Sequence, residues 1–122
     1  MTTIPDAGLD RVANLIASDF TYMATGSSST AEATTDTALG SENTLNGSAR
    51  DVAGTITAPA TEATGVTKWV HTFNFTGAVT IREIAIFNAS DDMLIRNVLT
   101  ADKNYVDGES VTITVTHTQQ RV

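Results

Sequence analysis

Cysteine is missing from this 122-residue chain. Its absence excludes disulfides, zinc–thiolate sites and thiol nucleophiles, and leaves the redox compartment undecided. Positive charge is scarce too. Seven Lys and Arg stand against fourteen Asp and Glu, a formal net charge of −7. An acidic chain with scattered basic residues repels phosphate backbones, so nucleic acid is not an expected partner. The same balance suits a soluble particle surface or a basic protein partner. No apolar run approaches the ~20 residues needed to span a bilayer, so no membrane partner is expected. The opening "MTTIPDAGLD" lacks both a basic n-region and an apolar h-region. It does not read as a signal peptide, and synthesis in a cytoplasm is expected.

Bulky side chains are nearly absent from "TGSSSTAEATTDTALGSEN", Thr25 to Asn43, where Leu39 is the one large apolar residue. Ser, Thr, Ala and Gly bury too little area to offset the entropy of ordering. A long surface loop is therefore expected over about residues 25–43, ordered only if something packs on it. Inside it, "TDTALGSE" is expected to make one helical turn, with Leu39 tucked inward and Gly40 ending the turn.

Elsewhere the chain is patterned. Leu9, Val12, Ala13 and Ile16 recur at helical spacing, which predicts one helix over about residues 6–18 with Asp6 as N-cap. "DFTYMAT" alternates, with Phe20, Tyr22 and Ala24 on one side and Thr21, Met23 and Thr25 on the other. "ARDVAGTITAPA" reads as a weaker strand that Pro59 ends or marks as an edge. In "VTKWVHTFNF", Thr67, Trp69, His71, Phe73 and Phe75 share what should be the core face. "VTIREIAIF" is apolar on both faces toward its end, as in a strand covered on both sides. "NASDDM" and "YVDGES" are turn signals. "SVTITVTHT" alternates Val111, Ile113 and Val115 inward with Thr112, Thr114 and Thr116 outward. One helix and about six or seven strands follow. The expected fold is mainly β, a single-domain β-sandwich or jelly-roll-like barrel with one N-terminal helix, spanning residues 1–122.

Catalytic patterns do not appear. His71 and His117 each sit in a strand without a second ligand at metal spacing. His71 is expected beside Trp69 and Phe73, and His117 near a solvated strand end. Asp91 and Asp92 share a turn that lacks the twelve-residue calcium pattern. Glu83 reads as an exposed strand position next to Arg82. No serine lies in a G-x-S-x-G elbow, and "TGSSST" lacks the ending of a phosphate-binding loop. Asn46, Asn74 and Asn88 head glycosylation-like triplets that mean little without a secretory signal. A glycan hydrolase would need two carboxylates about 5 to 10 Å apart in a cleft, and no pair declares itself. No catalytic, cofactor-binding or metal residue is assigned, and no enzyme activity is expected.

Three segments carry a resemblance. Tyr22, Ala24 and Gly26 open a strand that leads through the Ser/Thr/Ala loop to Asp36, Thr37, Ala38, Leu39 and Glu42. "IREIAIFNASDDMLIRNVL" sets the carboxylate of Glu83 before a short apolar run and Phe87. "ADKNYVDGESVTITVTHTQ" closes the chain. In this order the segments resemble small β-rich virion structural proteins of tailed phages and related archaeal viruses. Asn43 to Thr64 has no counterpart, and Ile86 stands where the pattern would have Gly.

The resemblance implies a non-enzymatic virion protein without cofactor, made in the host cytoplasm and located in the virion. The leading expectation is a capsid decoration (cement) protein on the outer surface of a phage head. Its partner would be the major capsid protein or another virion protein, and it would act as a symmetric homo-oligomer. "MTTIP" and the long loop are the expected contact segments, the loop acting as an arm that reaches a neighbour. The alternative is a tail or tail-fibre component that binds a host glycan through Trp69 or Tyr105.

Overall fold

The computed structural model describes residues 2–120. The chain runs α1 (Asp6–Asp19), β1 (Tyr22–Gly26), β2 (Asp51–Val52), β3 (Thr55–Thr57), β4 (Val66–Asn74), β5 (Val79–Phe87), β6 (Met93–Tyr105) and β7 (Ser110–Thr118). The strands form a four-stranded sheet in the order β2-β1-β5-β6 and a three-stranded sheet in the order β3-β4-β7. Every pairing is antiparallel. The mainly β sandwich with one N-terminal helix is thus found, and its sheets are not closed into a barrel.

Alternation along the strands builds the core between the sheets. Trp69, Phe73 and Phe75 from β4 and the residues just after it meet Met23, Val79, Ile81, Ile84, Ile86 and Ile113. Trp69 is fully buried and donates its indole N–H to the Phe20 carbonyl at 2.8 Å. The aromatic face of β4 is the core face, and Trp69 is not available as a glycan platform. Ile86 is fully buried and pairs with Met23 on one side and Ile95 on the other. It is a core residue at a register shift, since Phe87 after it pairs with Met93.

Helix α1 packs against the start of β4. Leu9 and Ala13 are buried, Ile16 packs on the main cluster, and Val12 is 37% exposed. The apolar stripe is narrower than its spacing suggested. The buried Thr67 hydroxyl donates to the Ala13 carbonyl, and Asp10 accepts from the Gly65 amide. Two polar bonds therefore fix the helix where an apolar stripe alone would slide. Asp6 is not the N-cap. Pro5 holds that position in an extended conformation, and its carbonyl accepts from the Gly8 and Leu9 amides. Pro5 already has its φ set near −65°, and Asp6, in the first turn, lies at the positive end of the helix dipole.

Strand β5 slips twice against β6, by one residue between Ile86 and Phe87 and further between Ile81 and Glu83. Ile81 pairs with Lys103, whereas Glu83 pairs with Val98. The longer stretch on β6 bulges out, and Ile81 and Ile84 end in the same cluster. Beyond the larger slip, Ile84 and Ile86 face the other sheet, while Ala85 and Phe87 join a second cluster with Ala24 and Leu39. Strand β5 is indeed covered on both faces, by the opposite sheet and by the long loop.

Candidate functional site

The outer face of the four-stranded sheet is paved with small residues, and the Ser/Thr/Ala loop lies on it. Ala24 pairs with Ala85, and Gly26 pairs with Glu83. A Cβ on Gly26 would collide with the Glu83 carboxylate and the Ser41 carbonyl, so only glycine admits the loop this close. Leu39 is 7% exposed and packs with Ala24, Ala85 and Phe87, with Tyr22 and Met93 around them. The helical turn expected at "TDTALGSE" is absent. A tight turn at Ala33–Asp36 takes its place, with the Ala33 amide donating to Asp36 at 2.9 Å. Asp side chains bind nearby backbone amides in this way and compete with helix formation.

Glu83 is the centre of this face. It is fully buried, not exposed as its sequence position suggested. Its Oε1 accepts from the Gly40 amide at 2.9 Å and from Arg96 Nε at 3.0 Å. Its Oε2 accepts from the Ser28 and Ser41 amides at 3.0 and 2.9 Å. Three of the four donors are backbone groups of the loop. One carboxylate therefore pins both ends of a segment that has almost no apolar side chains. Burial by itself pushes the Glu83 carboxyl up. The Ser41, Gly40 and Ser28 amides and the Arg96 guanidinium outweigh that and hold it below the usual carboxylate range.

Arg96 completes the fastening with a side chain only 4% exposed. Its Nη1 donates to Asp36 at 3.0 Å and to the Ala31 carbonyl, and its Nη2 donates to the Thr30 carbonyl at 2.9 Å. Burial opposes its charge, and Glu83 and Asp36 more than restore it, so its pKa is raised. Glu32 then accepts from the Val98 amide at 2.6 Å, tying the loop to the β6 backbone. The planar guanidinium suits this work because it presents donors in several fixed directions at once.

A second cluster lies beside the first. Arg50 bonds Glu42 at 2.9 Å and Asp91 at 2.6 Å, and stacks 3.7 Å from the centre of the Phe87 ring. The Gly26–Glu42 bridge links the two clusters. The residues of the resemblance therefore converge. Tyr22, Ala24, Gly26, Asp36, Leu39, Glu42, Glu83 and Phe87 all serve to lay the loop on the sheet. Asn88 holds the neighbouring turn, its Oδ1 accepting from the Ser90 and Asp92 amides.

The other singled-out residues lie apart. His71 accepts from the Gly54 amide through Nδ1 at 3.1 Å, and its Nε2 lies 3.5 Å from Asp51. It meets the Phe73 ring edge-on at a centroid distance of 4.6 Å. This bond holds the β2–β3 corner to β4. His117 is half-buried near the end of β7, with its Nε2 buried and unpartnered. Tyr105 stacks on Phe75, so it is not a free aromatic platform. Met1 of the opening segment lies outside the described residues. Among the described residues, no group of three or more His, Asp and Glu could hold a metal ion. No described helix is long and apolar enough to cross a membrane.

What the site presents outward is a fixed relief of small polar residues. Ser27 and most of the loop beyond it are exposed, and Leu45, 73% exposed, stands at its edge. Between them a polar cavity of about 410 Å³ is lined by Ser27, Glu42, Asn43, Asn46 and Thr80. Hydroxyls, amides and one apolar side chain can make a shape-dependent protein contact. No family model, no curated protein and no solved structure matches this chain.

Proposed function

We propose that this chain is a non-enzymatic virion structural protein, a capsid decoration (cement) protein that binds the outer surface of a tailed-phage head. One observation carries the reading. The chain spends its buried charge, Glu83 and Arg96, on holding a long loop of small residues rigid and outward. A loop already ordered loses little entropy when a partner docks on it, which favours a weak contact repeated many times. The resemblance of the same residues to phage virion proteins points the same way. The loop differs from the free arm first expected, because it is ordered by its own chain. Its exposed outer side and Leu45 are the proposed contact surface, and the major capsid protein is the proposed partner.

Immunogold labelling of intact particles tests the location. Gold over the head supports decoration, and gold confined to the tail replaces it with a tail or tail-fibre role. Binding to purified shells tests the surface. Leu45→Asp should weaken shell binding at least about tenfold, as placing a charge where an apolar side chain meets a partner does. Unchanged binding with gold on the head would move the contact elsewhere on the molecule.

A further inference from the structure

Four strand edges are open to pairing in a sandwich of two sheets, and three of them are blunted here. Strand β2 has two residues and β3 has three, too short to template a partner. Strand β6 is long, but it bulges between Val98 and Lys103 and carries Arg96, Asp102 and Lys103. Its edge is also partly occupied, since Glu32 of the long loop takes the Val98 amide at 2.6 Å. Bulges, charges and covering side chains are the usual protections of an edge.

Strand β7 has none of these. Its nine residues, "SVTITVTHT", hold no Lys, Arg, Asp, Glu or Pro, and they pair with β4 without a register shift. The phase of that ladder is fixed at both ends. The Phe75 amide donates to the Glu109 carbonyl, and the Gln119 amide donates to the Gly65 carbonyl. Between these, Val111, Ile113, Val115 and His117 bond to β4. The amides and carbonyls of Ser110, Thr112, Thr114, Thr116 and Thr118 therefore point away from the sheet. All five residues are exposed. In a chain of net charge −7, this uncharged edge is where two copies can meet without repulsion.

We propose that two copies of this chain pair antiparallel along β7, about a two-fold axis at Thr114. The pairing joins the three-stranded sheets into one continuous six-stranded sheet, in the order β3-β4-β7-β7-β4-β3. Thr114 faces its own counterpart, Thr112 faces Thr116, and Ser110 faces Thr118, each pair exchanging both N–H···O bonds. On the core side Ile113 falls beside Val115 of the other copy. On the outer side Thr pairs stack, a favourable cross-strand contact. Thr114, Val115 and Thr116 also wall a cavity of about 400 Å³ opposite β6, which the second copy covers from the β7 side. The inference rests on the strand edge alone and stands apart from the shell-binding reading.

The absence of cysteine makes the test direct. A hydrogen-bonded pair sets Cα atoms about 5.5 Å apart, within the range a disulfide bridges. Thr114→Cys in the full chain should oxidise to a covalent dimer at least about tenfold faster than Thr112→Cys, whose counterpart lies several residues away in this register. Mixing Thr112→Cys with Thr116→Cys should give the mixed dimer. By sedimentation, the unmodified chain should run at twice its 12.8 kDa mass. Thr114→Pro, which removes one outward amide and no bond to β4, should raise the dimer dissociation constant at least about tenfold. Circular dichroism checks that the variant is folded, and Thr114→Lys serves if it is not. A monomer at millimolar concentration overturns the proposal. So does a dimer that survives both edge variants, or cross-linking at Thr112 as fast as at Thr114.

Discussion

Replacing Glu83 with Gln keeps the shape of the buried side chain and removes its charge. The structure says what then fails. The Gln amide group can accept through only one oxygen, yet four donors converge on this site. At least one loop amide must face an N–H₂ donor, and Arg96, 4% exposed, loses its most buried counter-charge. Breaking a buried pair from one side costs about 3–5 kcal/mol, because the other charge is left uncompensated. At a urea slope of ~1–3 kcal/mol/M, the unfolding midpoint should fall by about 1–5 M. The assay is urea unfolding followed by the fluorescence of Trp69, the only Trp and a fully buried one. Hydrogen exchange supplies the local readout, since the Ser28, Gly40 and Ser41 amides should lose their protection while β4 keeps its own. Arg96→Met in the same background should recover part of the loss, with a coupling of ~1–3 kcal/mol in the double-mutant cycle. A change below ~0.5 kcal/mol for Glu83→Gln, the size of an ordinary surface substitution, would refute the idea that Glu83 fastens the loop. Strict additivity with Arg96→Met would do the same.

Acid should loosen the same fastening. The Glu83 carboxyl is held below its ordinary value, so its contribution is fully present above the unfolded-state pKa and is lost as pH falls through the lowered folded value. Stability should therefore stay flat with respect to this group from neutral pH down to about 4.3, the ordinary Glu value, and decline below it. Urea midpoints measured from pH 7 to pH 2 check this, and in Glu83→Gln the decline should be shallower. Gly26→Ala drives a methyl into the Glu83 carboxylate and the Ser41 carbonyl. Overpacking of this kind costs about 1–3 kcal/mol, and thermal unfolding should show it together with faster exchange at Ser41.

The elements that packing makes periodic were readable in the sequence. The Thr67–Phe75 face of β4, the alternation of β7 and the double-sided character of β5 follow from side-chain period, because a strand sends neighbours to opposite faces. The sandwich follows from having many such strands with polar turns between them. Other features needed the third dimension. Pro5 took the cap position because its backbone was already set, and Val12 fell outside the stripe because β4 crosses only part of the helix face.

The loop shows the limit most clearly. Composition described it correctly as unable to order itself through apolar burial, and Leu39 was its one visible anchor. Its ordering came from Glu83 and Arg96, thirteen positions apart and far from the loop in sequence. A signal was present, since a carboxylate in a strand apolar on both faces calls for a buried partner, and the Asn88–Asp92 turn folds Arg96 back toward it. Charge type could be read from the chain; charge burial could not, because it depends on which segment lies over the strand. Sequence alone determined a mainly β, acidic, cysteine-free chain with a long loop of small residues. Only the tertiary structure decided that the loop is held by a buried ion pair, and that β7 is the edge left uncovered, because hydrogen-bond partners distant in sequence are chosen by the packing of the whole.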